Sequence, residues 1–204
     1  TSGKELWRSD GTAEGTFLVR DFVSGAEGLP YAHNVVVGGT LFFEPDYGEE
    51  NRSHELWRSD GTAEGTVLVK DFPHDPSRTT LALEWFTAVG GTLFFSSSDG
   101  IHGRELWKSD GTAEGTVVVK DIYPGINNSD PGFLTAVGST LFFRARGQDP
   151  LFDGPGDELW KSDGTAEGTV LVKDINPRDS YPGQLTAAGG TLFFVADDGT
   201  SGRE

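Results

Sequence analysis

Twelve residues recur almost unchanged four times in this chain, at positions 5–16, 55–66, 105–116 and 158–169. Each copy reads ELW, then Arg or Lys, then SDGTAEGT, and successive copies start 50, 50 and 53 residues apart. A fixed period of this length is typical of repeat architectures, in which each unit buries its apolar surface against its neighbours. A carboxylate that recurs in every unit is therefore first interpreted as part of the architecture.

Each unit reads as four short strands, which we label a to d. In one unit they cover residues 134–138, 140–143, 158–162 and 170–175. A Gly-Gly or Gly-Ser pair separates strands a and b in all units, which predicts a two-residue hairpin whose first residue has a positive φ. The strands are apolar on both faces and so need cover on both sides. The sequence therefore predicts an all-β fold of four-stranded antiparallel blades.

The ends of the chain predict how the blades are arranged. The chain opens with strands c and d and finishes with strands a and b, so the two halves add up to one blade. We expect a single four-bladed β-propeller over 1–204, with half-blades 1–24 and 179–204 sharing the closing blade and full blades at 25–75, 76–125 and 126–178. An open solenoid is the alternative. The lack of methionine and the equivalence of 1–5 with 200–204 predict a segment of a longer array.

Composition narrows the classes of partner. Thirty-two acidic residues against sixteen basic ones give a formal net charge of −16. This charge repels phosphate backbones and anionic lipid surfaces, so we expect no nucleic-acid partner. No apolar run approaches the roughly 20 residues that span a membrane, so membrane insertion is not expected. The chain has no cysteine, which excludes disulfides and thiol chemistry.

The repeated text ELWRSDGTAEGT resembles the ELWxxDGTxxGT repeat of large exported bacterial proteins. The resemblance continues through VLVKDI and LTAVGGTLFF and covers nearly the whole chain. It implies a propeller-like bacterial repeat that is extracellular or associated with the cell envelope. It implies no reaction and brings no catalytic residues with it.

One aspartate in each unit stands before glycine in the turn between strands c and d, at Asp10, Asp60, Asp110 and Asp163. The favoured interpretation is an Asx turn, in which the carboxylate accepts backbone N–H groups. The alternative is a calcium ligand, because calcium takes six to eight oxygens and each turn also carries a glutamate, at Glu14, Glu64, Glu114 and Glu167. Calcium is the one cofactor that the sequence suggests.

Aromatic residues divide into two groups. One tryptophan recurs in strand c of every unit and is expected to pack between blades, as Trp7, Trp57, Trp107 and Trp160. Trp85 occurs once, in the long segment 73–86, which we interpret as a d–a loop on the variable face. Exposed aromatics near carboxylates can stack on sugars, and the candidates for such a ligand site are Trp85, Glu84, Asp75, Tyr31, His33, Tyr123 and Tyr181. Alternatively, these side chains plug the central funnel.

Three functional hypotheses follow. The leading one is a non-catalytic extracellular recognition or adhesion module that binds a glycan or a cell-surface polymer through its variable loops. The alternative is a structural building block of a long surface protein or fibre, whose partners are neighbouring repeats of the same protein. The third is a calcium-stabilised propeller of a glycan-active enzyme, with Glu84 and Asp75 as its carboxylates. Because fourfold repetition leaves no distinct acid–base pair, we expect that the chain is not an enzyme.

Overall fold

The computed structural model of this chain describes residues 5–22, 31–45, 54–72, 83–147 and 156–202. No helix in these ranges is long and apolar enough to cross a membrane. The regular elements here are sixteen strands: β1 (Leu6–Arg8), β2 (Phe17–Arg20), β3 (Tyr31–Val37), β4 (Thr40–Pro45), β5 (His54–Ser59), β6 (Val67–Phe72), β7 (Glu84–Val89), β8 (Thr92–Ser98), β9 (Arg104–Ser109), β10 (Val117–Lys120), β11 (Gly132–Val137), β12 (Thr140–Arg146), β13 (Asp157–Ser162), β14 (Val170–Lys173), β15 (Gly183–Ala188) and β16 (Thr191–Val195).

The strands form three complete sheets and two strand pairs. Sheet I (β3–β6), sheet II (β7–β10) and sheet III (β11–β14) are each four-stranded and antiparallel, with neighbouring strands in chain order. β1 with β2 forms the N-terminal pair, and β15 with β16 forms the C-terminal pair. The predicted all-β fold of four-stranded antiparallel sheets is thereby confirmed.

The hairpin that joins strands a and b has the predicted backbone. Its first residue lies in the left-handed region in every unit, with φ values of 58°, 59°, 61° and 57° at Gly38, Gly90, Gly138 and Gly189. Only glycine adopts these angles without a steric penalty from Cβ. The turn therefore sets the register of each a–b hairpin.

Strand b is buried on both of its faces. In β8, Leu93 and Phe95 point to one side and Phe94 to the other, and all three are buried. The cover comes from neighbouring sheets, because the a strands β3, β7, β11 and β15 contact one another in sequence. The sheets are thus stacked face to face along their a strands, as the apolar pattern requires.

Cationic side chains join each sheet to the next one. The Arg20 guanidinium lies 4.7 Å from the centre of the Trp57 ring, and Lys70 Nζ lies 5.6 Å from that of Trp107. Arg20 also donates a 2.9 Å hydrogen bond to the Thr66 carbonyl. Arg20 and Lys70 therefore reach from one unit toward strand c of the following unit.

Closure of a ring within the chain is not observed, and that prediction is wrong for this structure. β1 pairs with β2 and β16 pairs with β15, and within the described residues neither takes a second partner strand. Trp7, predicted to be core, is consequently 59% exposed, and Trp160 is half-buried. Closure depends on the rotation accumulated between stacked sheets, which the local apolar pattern does not specify.

Candidate functional site

The c–d turns are held by their own side chains. In sheet II, Asp110 Oδ1 accepts hydrogen bonds from the Thr112 N–H at 2.8 Å and the Thr112 hydroxyl at 2.7 Å. Both hydrogen bonds hold the pKa of Asp110 below its ordinary value, and the bond from the Thr112 hydroxyl has the larger effect. The same Asx turn recurs at Asp10, Asp60 and Asp163, so the favoured interpretation of these aspartates is confirmed.

The four turns do not assemble a cluster of metal ligands. The described ranges contain no group of three histidine, aspartate or glutamate side chains that could hold a metal ion. Each turn aspartate uses Oδ1 within its own turn, and the turns belong to different sheets. Calcium binding stays a prediction.

The ELW glutamate has a structural role that sequence reasoning missed. Glu105 accepts hydrogen bonds from the Ile122 N–H at 3.0 Å and the Ser129 hydroxyl at 2.6 Å. Glu158 makes the equivalent pair of contacts with Ile175 and Ser180. The glutamate thus ties the d–a connection to the start of strand c. Its recurrence before Leu-Trp in every unit was the signal available in the sequence.

Burial makes Glu105 sensitive to pH. The loss of hydration raises its pKa to about 7, against the opposing hydrogen bonds. Since the unfolded value is about 4.3, the folded state holds this proton more tightly. The resulting stability is fully present at low pH and is lost as the pH rises through 7.

We therefore expect a change in the difference in free energy of unfolding between the wild type and Glu105→Gln. Between about pH 5 and about pH 8 the wild type should lose an amount on the order of 2 kcal/mol relative to the variant. Glutamine carries no charge, so subtracting its melting profile removes the contribution of the remaining acidic residues. Urea melts at several pH values provide the measurement. Parallel profiles for the two proteins would show that Glu105 is ionised throughout.

A cavity of about 460 Å³ opens between the first residues of two neighbouring a strands. It is lined by His33 and Asn34 from β3 and by Glu84, Trp85 and Phe86 from β7. The Trp85 side chain is 40% exposed, while its ring also packs on Phe133 with centroids 5.0 Å apart. The cavity therefore offers an aromatic wall with carboxylate, amide and imidazole groups beside it.

Trp85 occupies a β-bulge, which corrects the prediction that it lies in a loop without a counterpart. The pairing register shifts between Glu84 and Thr87, and Trp85 has φ 62°. Phe133 and Gln184 occupy the same position of β11 and β15, with φ values of 57° and 56°. A positive φ at a bulky residue is a backbone outlier that costs roughly 1–2 kcal/mol.

A threonine two residues later fixes the bulge. Thr87 Oγ1 donates to the Trp85 carbonyl at 2.9 Å and lies 3.2 Å from the Leu134 carbonyl of the next sheet. Thr135 repeats this arrangement with Phe133 and Leu185. The bulge is therefore built into the junction between sheets, and each one presents a different side chain at the same rim.

The Glu44 carboxylate is the main charged group in contact with His33, which lines the cavity. This buried carboxylate shares a 2.9 Å hydrogen bond with His54 Nδ1 and accepts one from the Leu83 N–H at 3.3 Å. His33 Nδ1 lies 3.6 Å from its other oxygen, an ion-pair distance rather than a hydrogen bond. The attraction of Glu44 for the imidazolium raises the pKa of His33, although burial opposes it. Protonated His33 is thus stabilised at the cavity wall.

The other predicted ligand residues are dispersed. His33 belongs to β3 rather than to a loop and lines the cavity with Glu84 and Trp85. Tyr123 is half-buried, with its N–H on Glu105. Tyr181 is exposed and its hydroxyl donates to Asp179 at 3.1 Å. Neither tyrosine lines this cavity. Asp75 and the Tyr31 side chain lie outside the described residues.

Glu84 is tied to a neighbouring strand. Its carboxylate lies 3.4 Å from Arg104 Nη1, and the Glu84 side chain is 41% exposed, whereas Arg104 is buried. The ion pair fixes the direction of the carboxylate without closing it off from solvent. Glu84 therefore keeps capacity to accept hydrogen bonds at the mouth of the cavity.

Comparison with known proteins assigns neither a family nor an activity to the chain. No protein-family model and no curated protein matches the chain. One similar solved structure is the crystal structure of a serine-to-alanine mutant of puromycin hydrolase complexed with PGG, at TM-score 0.48 and 18% identity. The alignment covers 96% of this chain and 29% of that one, so the chain spans less than a third of that protein.

The expectation that the chain is not an enzyme is contradicted by this comparison, because the similar structure is that of a hydrolase. We do not retain that expectation. At this identity and TM-score the similarity assigns no activity to the chain either. The resemblance to the ELWxxDGT repeat also stays a prediction, since no family model matches.

Proposed function

We propose that the chain is a recognition module of propeller type that binds carbohydrate in the cavity between β3 and β7. The observation that carries the proposal is Trp85, a bulky residue held at φ 62° with its ring 40% exposed over the cavity. A similar φ recurs at Phe133 and Gln184, so this position is distinguished by the exposed indole that lines the cavity beside Glu84 and His33.

Carbohydrate fits the chemistry of this cavity. The apolar face of a pyranose stacks on an indole ring, while its hydroxyls need acceptors and donors at the ring edge. Glu84 supplies an acceptor, and Asn34 supplies both an acceptor and donors. The net charge of −16 disfavours acidic sugars, so neutral and amino sugars are the expected class. The likeness of the repeat to exported bacterial proteins supports an extracellular setting for such a ligand.

A propeller arrangement would support a site at this rim. The four-stranded antiparallel sheets stack along their first strands. In a propeller these a strands would lie innermost, and the bulges of β7, β11 and β15 would converge near the axis. Different side chains at these equivalent positions would give one asymmetric site rather than four equal ones.

Substitution of Trp85 tests the proposal. We expect Trp85→Ala to weaken binding to the best ligand on an array of neutral and amino oligosaccharides at least tenfold, about 1.4 kcal/mol, because the stacking surface is lost. Isothermal titration with the soluble oligosaccharide measures the change. Circular dichroism and melting confirm that the variant is folded.

Tyr181→Ala is the matched control for this variant. Tyr181 is an exposed aromatic of similar accessibility that does not line the cavity, so its loss should leave the affinity unchanged. Equal losses for both variants would argue against this cavity as the site. An array without any ligand would contradict carbohydrate recognition altogether.

A second candidate function is that of a structural building block. It is favoured by the stacking of each sheet on the next one along their a strands. Repeat proteins are built by stacking of this kind, in which each unit contacts only its neighbours. Binding of carbohydrate in the cavity leaves this stacking in place, so both functions are compatible with one molecule.

A further inference from the structure

Three consecutive side chains of β7 share the cavity, although neighbouring residues of a strand normally face opposite sides. In an unbroken strand only Glu84 and Phe86 would point the same way. The bulge turns Trp85, at φ 62°, toward that side as well, and all three residues line the cavity. One carboxylate and two aromatic rings are thereby brought to a single concave surface.

The bulge of β7 differs in chemistry from the bulges of β11 and β15. The equivalent residues read Gly-Phe-Leu at 132–134 and Gly-Gln-Leu at 183–185. Neither of these two bulges carries a charged side chain, and glycine stands at the position of Glu84 in both. The carboxylate beside the ring is therefore specific to this cavity and is not part of the repeated architecture.

The Trp85 ring is open to a cation from outside the chain. Cations lie over other aromatic rings of this fold: the Arg20 guanidinium is 4.7 Å from the centre of the Trp57 ring, and that of Arg144 is 5.0 Å from the centre of the Phe133 ring. In the part of the chain that the structure describes, no lysine or arginine lies over Trp85 in this way. Since the face of an indole ring attracts cations, the exposed part of this ring can receive one from a ligand.

Glu84 is placed to pair with the same cation. Its distance of 3.4 Å from Arg104 Nη1 is longer than the roughly 2.7–2.9 Å of a charge-assisted hydrogen bond. The Glu84 side chain is 41% exposed, against 7% for Arg104. A ligand at the mouth of the cavity therefore meets the carboxylate rather than the guanidinium.

The acidic groups at the cavity already favour a positive charge there. Glu44 chiefly, and Glu84 to a smaller extent, raise the pKa of His33 on the opposite wall, although burial opposes them. Glu44 is buried and contacts both His33 and His54, which leaves Glu84 as the carboxylate that a ligand can reach. The same negative potential attracts the ammonium group of a ligand.

We propose that the cavity selects saccharides that carry a free, protonated amine, which lies over the Trp85 ring and pairs with Glu84; this selectivity rests on the carbohydrate recognition proposed above. The ammonium group gains a cation–π attraction and an ion pair at one position, whereas an N-acetylated amine gains neither. Neutral sugars keep the stacking and hydroxyl contacts, so they bind more weakly than amino sugars.

Two oligosaccharides with the same backbone test this selectivity. A β-1,4-linked oligomer of glucosamine and its fully N-acetylated form of equal length differ only at the amine. Isothermal titration at about pH 7, where amines are mostly protonated, should show that the free amine binds about tenfold more tightly or better. In Glu84→Gln the two affinities should become similar, chiefly through weaker binding of the amine. Glutamine keeps an acceptor for Arg104, and circular dichroism confirms that this variant is folded.

Glu114→Gln is the matched control, because it removes an exposed carboxylate of the same sheet that does not line the cavity. This variant should keep the selectivity of the wild type. Equal loss of selectivity in both variants would overturn the assignment to Glu84 in favour of general attraction to an acidic chain. Equal affinities of the wild type for the two oligomers, both weakened by Trp85→Ala, would overturn the amine selectivity and leave carbohydrate recognition standing. Binding of neither oligomer would contradict both proposals.

Discussion

Trp107→Ala is expected to destabilise the folded chain by roughly 3–5 kcal/mol, as other large-to-small substitutions of buried aromatics do. Trp107 is 4% exposed, and its indole N–H donates to the Ser97 carbonyl at 3.0 Å. Its ring packs edge-on against Phe72 with centroids 5.1 Å apart. Removal of the side chain would open a cavity between sheets I and II and leave the Ser97 carbonyl without this donor.

Trp7→Ala is the matched control for this prediction. The two tryptophans occupy the same position of strand c, but Trp7 is 59% exposed, so its removal should change the stability of the folded chain by less than about 1 kcal/mol. Chemical denaturation of both variants gives the comparison. Similar losses for both would show that Trp7 is covered by residues of its own chain.

Trp57→Ala should behave like Trp107→Ala, because Trp57 is 8% exposed and its indole N–H donates to Glu55 at 2.7 Å. A variant of Trp57 or Trp107 that kept its melting temperature but lost ligand binding would reverse the assignment of these residues to the core. The melting temperature should instead fall by roughly 6–20 °C for a chain of this size.

The elements whose structure depends on neighbours in the sequence were predictable. The Gly-Gly hairpins, the Asx turns and the strands apolar on both faces are each specified by a few adjacent residues. Repetition strengthened these predictions, since four copies of one turn give the same signal. The role of the ELW glutamate was accessible in principle, because an acidic residue that recurs beside Leu-Trp in every unit needs partners wherever it is buried.

The β-bulges and the absence of ring closure were not predictable from neighbouring residues in the sequence. The bulge at Trp85 exists because β7 pairs with β8 out of phase, and nothing in the residues Glu84-Trp85-Phe86 requires a positive φ. The cavity follows from the bulge, since it lies between β7 and the start of β3. Ring closure depends on rotations between sheets that add up over the array, so a small error at each junction decides whether the ends meet.

Gly103→Ala should destabilise the folded chain more than its matched control, Gly125→Ala. Both residues have a positive φ, of 66° and 86°. Alanine is disfavoured in this left-handed region, so either substitution should lower the stability by roughly 1–2 kcal/mol. At Gly103 the new Cβ would also lie 2.0 Å from the Asn127 carbonyl oxygen, whereas at Gly125 nothing lies within 4 Å.

The obstacle at Gly103 is backbone, so it cannot be relieved by rotation of a side chain. The d–a connection is held there by hydrogen bonds from the Ser129 N–H to the Arg104 carbonyl at 3.0 Å and from the Arg104 N–H to Asn128 Oδ1 at 2.9 Å. Moving Asn127 away would strain or break these bonds. We expect Gly103→Ala to cost about 1–3 kcal/mol more than Gly125→Ala, as overpacking does in other cores. Urea denaturation of the pair measures this difference, and equal stabilities would show that the connection yields without loss.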